Sequence, residues 1–190
     1  MPSSLLTPEE KQTRLRLARQ ALELCVRGEK LPPLDRNSLT PTLRADGASF
    51  VTLTVDGELR GCIGALEAYQ PLAEDVRDHA VAAAREDYRF PPVQTSELGA
   101  INVVVSRLTA PVPLEYSTPE DLIAKLRPHV DGVILRDGSR RATFLPQVWE
   151  KLPRAEDFLS NLCHKMGASA DLWKRKHLDV KIYQVEEFRE

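Results

Sequence analysis

What this sequence lacks narrows its chemistry quickly. Its three cysteines, Cys25, Cys62 and Cys163, lie far apart with no CxxC pair among them. That argues against a disulfide framework and a local zinc knuckle, and for reduced thiols in a cytoplasm. His79, His129, His164 and His177 form no HxxxH or HExxH pattern, so no metal is expected. There is no GxGxxG or GxxxxGK loop to cradle a nucleotide phosphate and no GxSxG elbow to present a serine. No apolar run approaches the roughly 20 residues that cross a bilayer. The opening MPSSLLTPEEKQ has neither a basic stretch nor an apolar core, so neither membrane nor signal peptide is expected. Charge of one sign is missing too: 26 basic and 28 acidic residues leave a net -2 over 190 residues, and nothing pulls the whole chain toward nucleic acid. With 42% hydrophobic residues and no repeat or low-complexity tract, the chain suits one domain, or one domain with a small lobe.

What is there is well punctuated. Thr7-Pro8-Glu9-Glu10 combines an N-cap, a proline for the first helical position and a capping glutamate. Leu15, Ala18, Leu22 and Cys25 then recur at helical spacing until Gly28, which makes Cys25 a core residue. The proline-rich stretch Leu31 to Asp46 predicts an irregular connection, so residues 1–46 are read as a helix plus linker and 47–190 as the main body. Ala48 to Val55 is β-branched and aromatic, and Asp56-Gly57 suits a two-residue hairpin turn. An uninterrupted register would pair Leu53 with Arg60 and Val51 with Cys62, turning Arg60 and Cys62 to one face with those apolar residues.

A helix is predicted from Pro71 to about Ala84 with His79 inward, then an ordered loop through Asp87-Tyr88-Arg89-Phe90-Pro91-Pro92. Ala100 to Leu108 reads as a central strand, and Pro111 and Pro113 demote the next stretch to an edge or loop. Thr118-Pro119-Glu120 repeats the helix-start signal. Gly132–Arg136 and Arg140–Leu145 form a second hairpin across Asp137-Gly138-Ser139. Helical pieces at Gln147–Leu152 and Ala155–Met166 come next, and Val180 to Val185 alternates like a last strand. Strands, helices and hairpins mixed in this way predict an antiparallel or mixed sheet with helices packed on it.

The chemistry concentrates in Leu59-Arg60-Gly61-Cys62-Ile63-Gly64, which sets a guanidinium and a thiol two residues apart, each beside a glycine. A thiol can act as nucleophile, a guanidinium can hold a carboxylate or phosphate, and glycines admit close approach. Against this, free cysteine is among the most buried residue types. His79 could serve Cys62 as base, or be an ordinary packed histidine. Asp87, Arg89 and Phe90 could bind an anionic or aromatic ligand or brace a loop. Arg136, Arg140 and Arg141 make a cationic patch of the kind usually found on a solvated face. Cys163 and His164 diverge by about 100° on a helix and form no dyad.

Four blocks, LRGCIG, DYRFPP (Asp87 to Pro92), RRATFLPQVW (Arg140 to Trp149) and FLSNLCHK (Phe158 to Lys165), together resemble the successive signatures of the AMMECR domain family. Its bacterial and archaeal members are called AmmeMemoRadiSam system protein A. The resemblance runs from about Ala48 to Phe188. It implies an α+β fold, mainly an antiparallel sheet flanked by helices, with a smaller second lobe and a cleft between them. It also implies a site around the RGCIG block, with Arg60 and Cys62 as candidate catalytic groups and Gly61, Gly64, Asp87, Arg89, Phe90 and Thr143 as candidate substrate-binding residues. Leu145 and Pro146 match the third block. Tyr88 departs from a position where many relatives carry a small residue or proline.

The family gives no firmly established reaction. It does imply partners, a Memo-like protein and a radical SAM enzyme, the latter holding the iron–sulfur cluster for which this chain lacks the cysteines. Two functions stand as expectations: an enzyme or substrate-binding component for a small anionic or aromatic compound with no cofactor of its own, or a binding and accessory module in which Cys62 is structural. RNA or nucleotide binding through Arg136, Arg140 and Arg141 is a weaker third, opposed by the balanced charge and the absence of a stacking motif.

Overall fold

Thr7 opens the first helix as its sequence asks: the Thr7 hydroxyl accepts from the Glu10 N–H, and the Glu10 carboxylate accepts from the Thr7 N–H at 2.9 Å. The computed structural model describes residues 6–190, so Met1 to Leu5 of the opening stretch lie outside the described residues. In chain order the elements are α1 (Pro8–Arg27), α2 (Pro41–Arg44), β1 (Ala48–Val55), β2 (Glu58–Gly64), α3 (Leu72–Arg85), β3 (Ile101–Leu108), β4 (Val112–Pro113), α4 (Pro119–Lys125), β5 (Gly132–Asp137), β6 (Arg140–Phe144), α5 (Ala155–Lys165), α6 (Leu172–Arg175), β7 (Asp179–Tyr183) and β8 (Val185–Arg189). Short 3-10 turns lie at Arg36–Ser38, Thr95–Glu97 and Pro146–Glu150. The fold is α+β, and the chain divides into two compact units: one runs up to Leu108 and regains Glu186–Glu190, the other is Thr109–Val185.

The first unit carries a sheet in the order β2-β1-β3-β8, with α1 and α3 on one face. Val51, Leu53, Val103 and Val105 point into that helix-covered core against Leu22 and Val76. The second unit has its own sheet, β4-β7-β5-β6, around Trp149, Phe158, Leu162 and Trp173. The Trp149 and Phe158 rings stack at 3.8 Å, and the Trp149 indole N–H donates to the Asp131 carbonyl at 2.7 Å. The described registers are all antiparallel. β4, the strand carrying Pro113, lies at an edge where a missing N–H is tolerated.

Three expectations need correction. The Leu31–Asp46 connection contains a 3-10 turn and α2, because Pro41 sits at the start of a helix capped by Thr40, where proline is favourable. The last strand is two: alternation told which residues share a face but not which neighbour they pair with, and after Gln184 the chain leaves the second sheet for the first.

The third correction reverses the orientation of the thiol block. The Asp56-Gly57 turn forms, with φ of 52° and 85°, and Val55 pairs with Glu58. Then Thr54 pairs with Leu59 and Leu53 with Gly61, so Arg60 is the extra residue of a β-bulge. Beyond it every side chain is flipped relative to an uninterrupted register. Cys62 pairs with Thr52, and it is Gly61 and Ile63 that lie opposite the core residues Leu53 and Val51.

Candidate functional site

Gly61 explains why the flip is needed. A Cβ at this position would collide with the backbone carbonyl of Ala83 in α3, so only glycine lets β2 lie this close to the helix. With Gly61 toward α3, Cys62 is carried on the sheet's far face. Gly64 has a similar role at the strand end, where a Cβ would meet the Phe50 ring and the Ser49 carbonyl. Both glycines are therefore fixed by close packing.

Bulged Arg60 reaches along the sheet edge. Its Nε and Nη2 donate to the two Glu97 carboxylate oxygens at 2.7 and 3.0 Å, and its Nη1 to the Pro91 carbonyl at 3.0 Å. The Arg60 guanidinium and a further bond from the Gln94 N–H hold the Glu97 carboxyl below its usual range. Two residues on, the Cys62 N–H donates to Asp87 Oδ2 at 2.8 Å, and Arg89 Nη2 donates to the Cys62 carbonyl at 3.3 Å. Asp87 and Arg89 are themselves locked by Nε to Oδ1 at 2.9 Å and Nη2 to Oδ2 at 2.7 Å. Asp87 is buried, and its bonds from Arg89, followed by that from the Cys62 N–H, hold its carboxyl well below the ordinary range. The Phe90 ring is within cation–π range of both guanidiniums, 6.0 Å from that of Arg60 and 5.6 Å from that of Arg89.

The half-buried Cys62 thiol receives a hydrogen bond from the Thr52 hydroxyl at 3.2 Å. Thr52 also lines a groove of about 390 Å3 with Thr54, Asn102, Val104, Glu187 and Arg189. His79 is not part of this arrangement. It lies in the helix-covered interior, its Nδ1 3.2 Å from Asp75 Oδ2, which also accepts from the Ser49 hydroxyl at 2.6 Å. A Cys62–His79 pair would have to reach through the sheet.

The fold thus gathers Arg60, Gly61, Cys62, Asp87, Arg89 and Phe90 around the middle of β2, with Gly64 at its terminus. Thr143 belongs to the second unit, on β6, with its hydroxyl 3.0 Å from the Tyr183 hydroxyl and its carbonyl accepting from Lys165 at 2.9 Å. Leu145 and Pro146 directly follow the end of β6 at Phe144. Cys163 is fully buried and burial pushes its thiol up, while the neighbouring His164 is exposed. Of the cationic patch, Arg140 is paired with Asp137, and Arg136 donates to the Gly138 carbonyl at 3.1 Å.

Thr52 and Glu97 were missed at the sequence level. The bulge hid Thr52, and nothing local in Gln94-Thr95-Ser96-Glu97 signals a partner 37 positions away. Arg14 and Asp75 were also missed: both are fully buried, and Arg14 Nε, Nη1 and Nη2 have no hydrogen-bond partner among the described residues. Among those residues no helix is long and apolar enough to cross a membrane, and no group of three or more His, Cys, Asp or Glu is placed to hold a metal.

Two antiparallel four-stranded sheets with separate cores, and a thiol-bearing edge strand braced by an Asp-x-Arg loop, define an α+β protein of distinctive build. The chain belongs to the AMMECR1 family, whose model matches residues 15–188. It is similar to a protein of Methanothermobacter thermautotrophicus, 40% identical across 97% of this chain and 96% of that one. A protein of Thermofilum pendens is 39% identical across 97% and 92%. Among solved structures, the uncharacterized protein PH0010 from Pyrococcus horikoshii superposes with a TM-score of 0.80 at 33% identity, covering 97% of this chain and 93% of that one.

Proposed function

We propose that this protein is a catalytic or substrate-binding component in which the Cys62 thiol engages a small polar compound on the far face of the first sheet. One observation carries the reading. The backbone of Cys62 is held on both sides by Asp87 and Arg89, while the half-buried residue's sulfur accepts one hydrogen bond among the described residues, from the Thr52 hydroxyl. Both guanidiniums are engaged within the protein, so the reading gives Arg60 and Arg89 a bracing role and gives ligand contact to Cys62, Thr52 and the adjoining groove. The family resemblance adds a proposed setting, joint action with a Memo-like protein and a radical SAM enzyme.

The test is the alkylation rate of each cysteine against pH, resolved by peptide mass, in the native protein and in Cys62→Ser. Cys62 is expected to react in the folded protein and Cys163 only after unfolding. Small carbonyl and anionic compounds are then scored by how far they protect Cys62. A Cys62 inert until unfolding would overturn the proposal in favour of an accessory module, and pull-downs would replace ligand screens.

A further inference from the structure

β2 is an edge strand, and a strand edge presents backbone N–H and C=O groups with no partner, a liability that proteins cover by specific means. Here the cover falls on one residue. Among the described residues, Cys62 alone in β2 has both its N–H and its C=O bonded to side chains, the N–H by Asp87 at 2.8 Å and the C=O by Arg89 at 3.3 Å. A carboxylate acceptor beside a guanidinium donor is the pattern that an antiparallel partner offers with its own C=O and N–H. We infer that Asp87 and Arg89 are positioning residues: locked to one another, they stand in for the strand that β2 lacks and fix the main chain that carries Cys62.

Two observations support positioning over plain loop bracing. The loop already has other fasteners: Phe90 N–H donates to the Asp87 carbonyl at 3.0 Å, Val93 N–H to the Ala84 carbonyl at 2.9 Å, and Arg60 ties both Pro91 and Glu97. Bonds to Cys62 add little that the loop needs. Tyr88, between the two prongs, is 95% exposed, so burial of its side chain does not hold this turn in place. The Arg89 charge is also within electrostatic reach of the Cys62 sulfur, which contributes to raising the guanidinium's proton affinity after the larger effect of Asp87.

The inference rests on the Cys62 reading for its function but not for its geometry, and the experiment separates the two. Amide exchange at Cys62 and the Cys62 alkylation rate are measured in the full-length wild type, Asp87→Asn, Arg89→Lys and Glu97→Gln, well below the melting temperature of each. Asp87→Asn and Arg89→Lys are expected to speed exchange of the Cys62 amide by about tenfold or more and to change its alkylation rate severalfold. Glu97→Gln loosens the loop through Arg60 and should leave both nearly unchanged. Unaltered amide exchange in both bracket variants overturns the inference. Faster exchange with the same alkylation rate also overturns it, since the pair would then be an edge cover with no hold on the thiol. An inert Cys62 in the wild type would defeat the proposed function instead, while the exchange data still decide whether the bracket exists.

Discussion

The two units are built on opposite principles. In the second, Asp131 is the one charged residue fully buried among those described, and the interior is aromatic and aliphatic. In the first, Glu10, Arg14, Asp75, Arg77, Asp87 and Arg107 are all buried. The signature blocks divide along the same line. LRGCIG and DYRFPP form a hydrogen-bonded brace around a thiol, whereas RRATFLPQVW and FLSNLCHK supply Trp149, Phe158, Leu162 and Cys163 to a core. Resemblance to one family therefore covers two kinds of requirement, a polar brace in the first unit and a packed interior in the second.

The comparison breaks most visibly in the second core. Phe158→Ala removes a fully buried ring stacked on Trp149 and should cost about 3–5 kcal/mol. Both tryptophans, Trp149 and Trp173, lie in this unit, so tryptophan fluorescence during denaturant unfolding reads it directly. A loss below about 1 kcal/mol would mean that the site collapses around the deletion and that this core is not the close-packed body described.

The converse experiment addresses the charged interior. Burial above all, and then the neighbouring Arg107 charge, bring the Arg14 guanidinium down to about 9. The carboxylates whose charges act on it have hydrogen bonds elsewhere, Asp75 Oδ2 to Ser49, Glu186 to Arg107, and Glu10 to Thr7 and Thr40, while Asp75 Oδ1 is buried without a hydrogen bond among the described residues. The Arg14 guanidinium lies over the Phe188 ring at 5.4 Å but has no hydrogen bond among the described residues to offset its desolvation, so Arg14→Met should leave stability unchanged or raise it by up to about 4 kcal/mol. A marked loss in thermal unfolding would show that the Arg14 charge holds those carboxylates together.

How much was legible in the sequence depends on how local each cause is. The Thr7 cap, the Asp56-Gly57 turn and the apolar face of α5 depend on residues within a few positions, and they appear where expected. The bulge does not. It exists because β2 must bring a glycine to Ala83 of α3 and send Arg60 outward to Glu97, two demands set by distant parts of the chain. Cys62 was identified as a candidate from its neighbours, but its face, its Thr52 partner and its separation from His79 all hang on that one extra residue. Arg14 lies on the stripe of α1 that carries buried Leu17, Ala18, Ala21 and Leu22, so spacing points inward while its charge points outward, and only the packing of distant elements decides between them.

Gly61→Ala tests the bulge itself. The new Cβ has a backbone carbonyl in its way, which cannot swing aside as a flexible side chain would, so β2 or α3 must shift at a cost of about 1–3 kcal/mol. The same substitution at Gly138, where no atom would meet the Cβ, is strained only by its φ of 61° and should cost less, about 1 kcal/mol. Equal losses at the two positions in thermal unfolding would remove the packing argument for Gly61.

The finest test uses pH. The Asp87 carboxyl is held below its unfolded value, so the stabilisation it gives is complete above about pH 4 and fades as the pH falls from there through the folded value. In the second unit Asp121, Asp137 and Asp171 are lowered by Lys125, by Lys176 with Arg140, and by Arg175, but those pairs lie near the surface, where water and salt screen them. Acid should therefore loosen the first unit ahead of the second, with amide exchange rising in β2 and α3 before tryptophan fluorescence changes. Asp87→Asn is expected to lie below wild type at pH 7 and to converge with it as the pH drops below about 4, because protonation makes the native carboxyl as poor a partner for Arg89 as the amide. Two curves that stay parallel down to acid would mean that the bracket contributes nothing through its charge and that the contrast between the units must rest on packing alone.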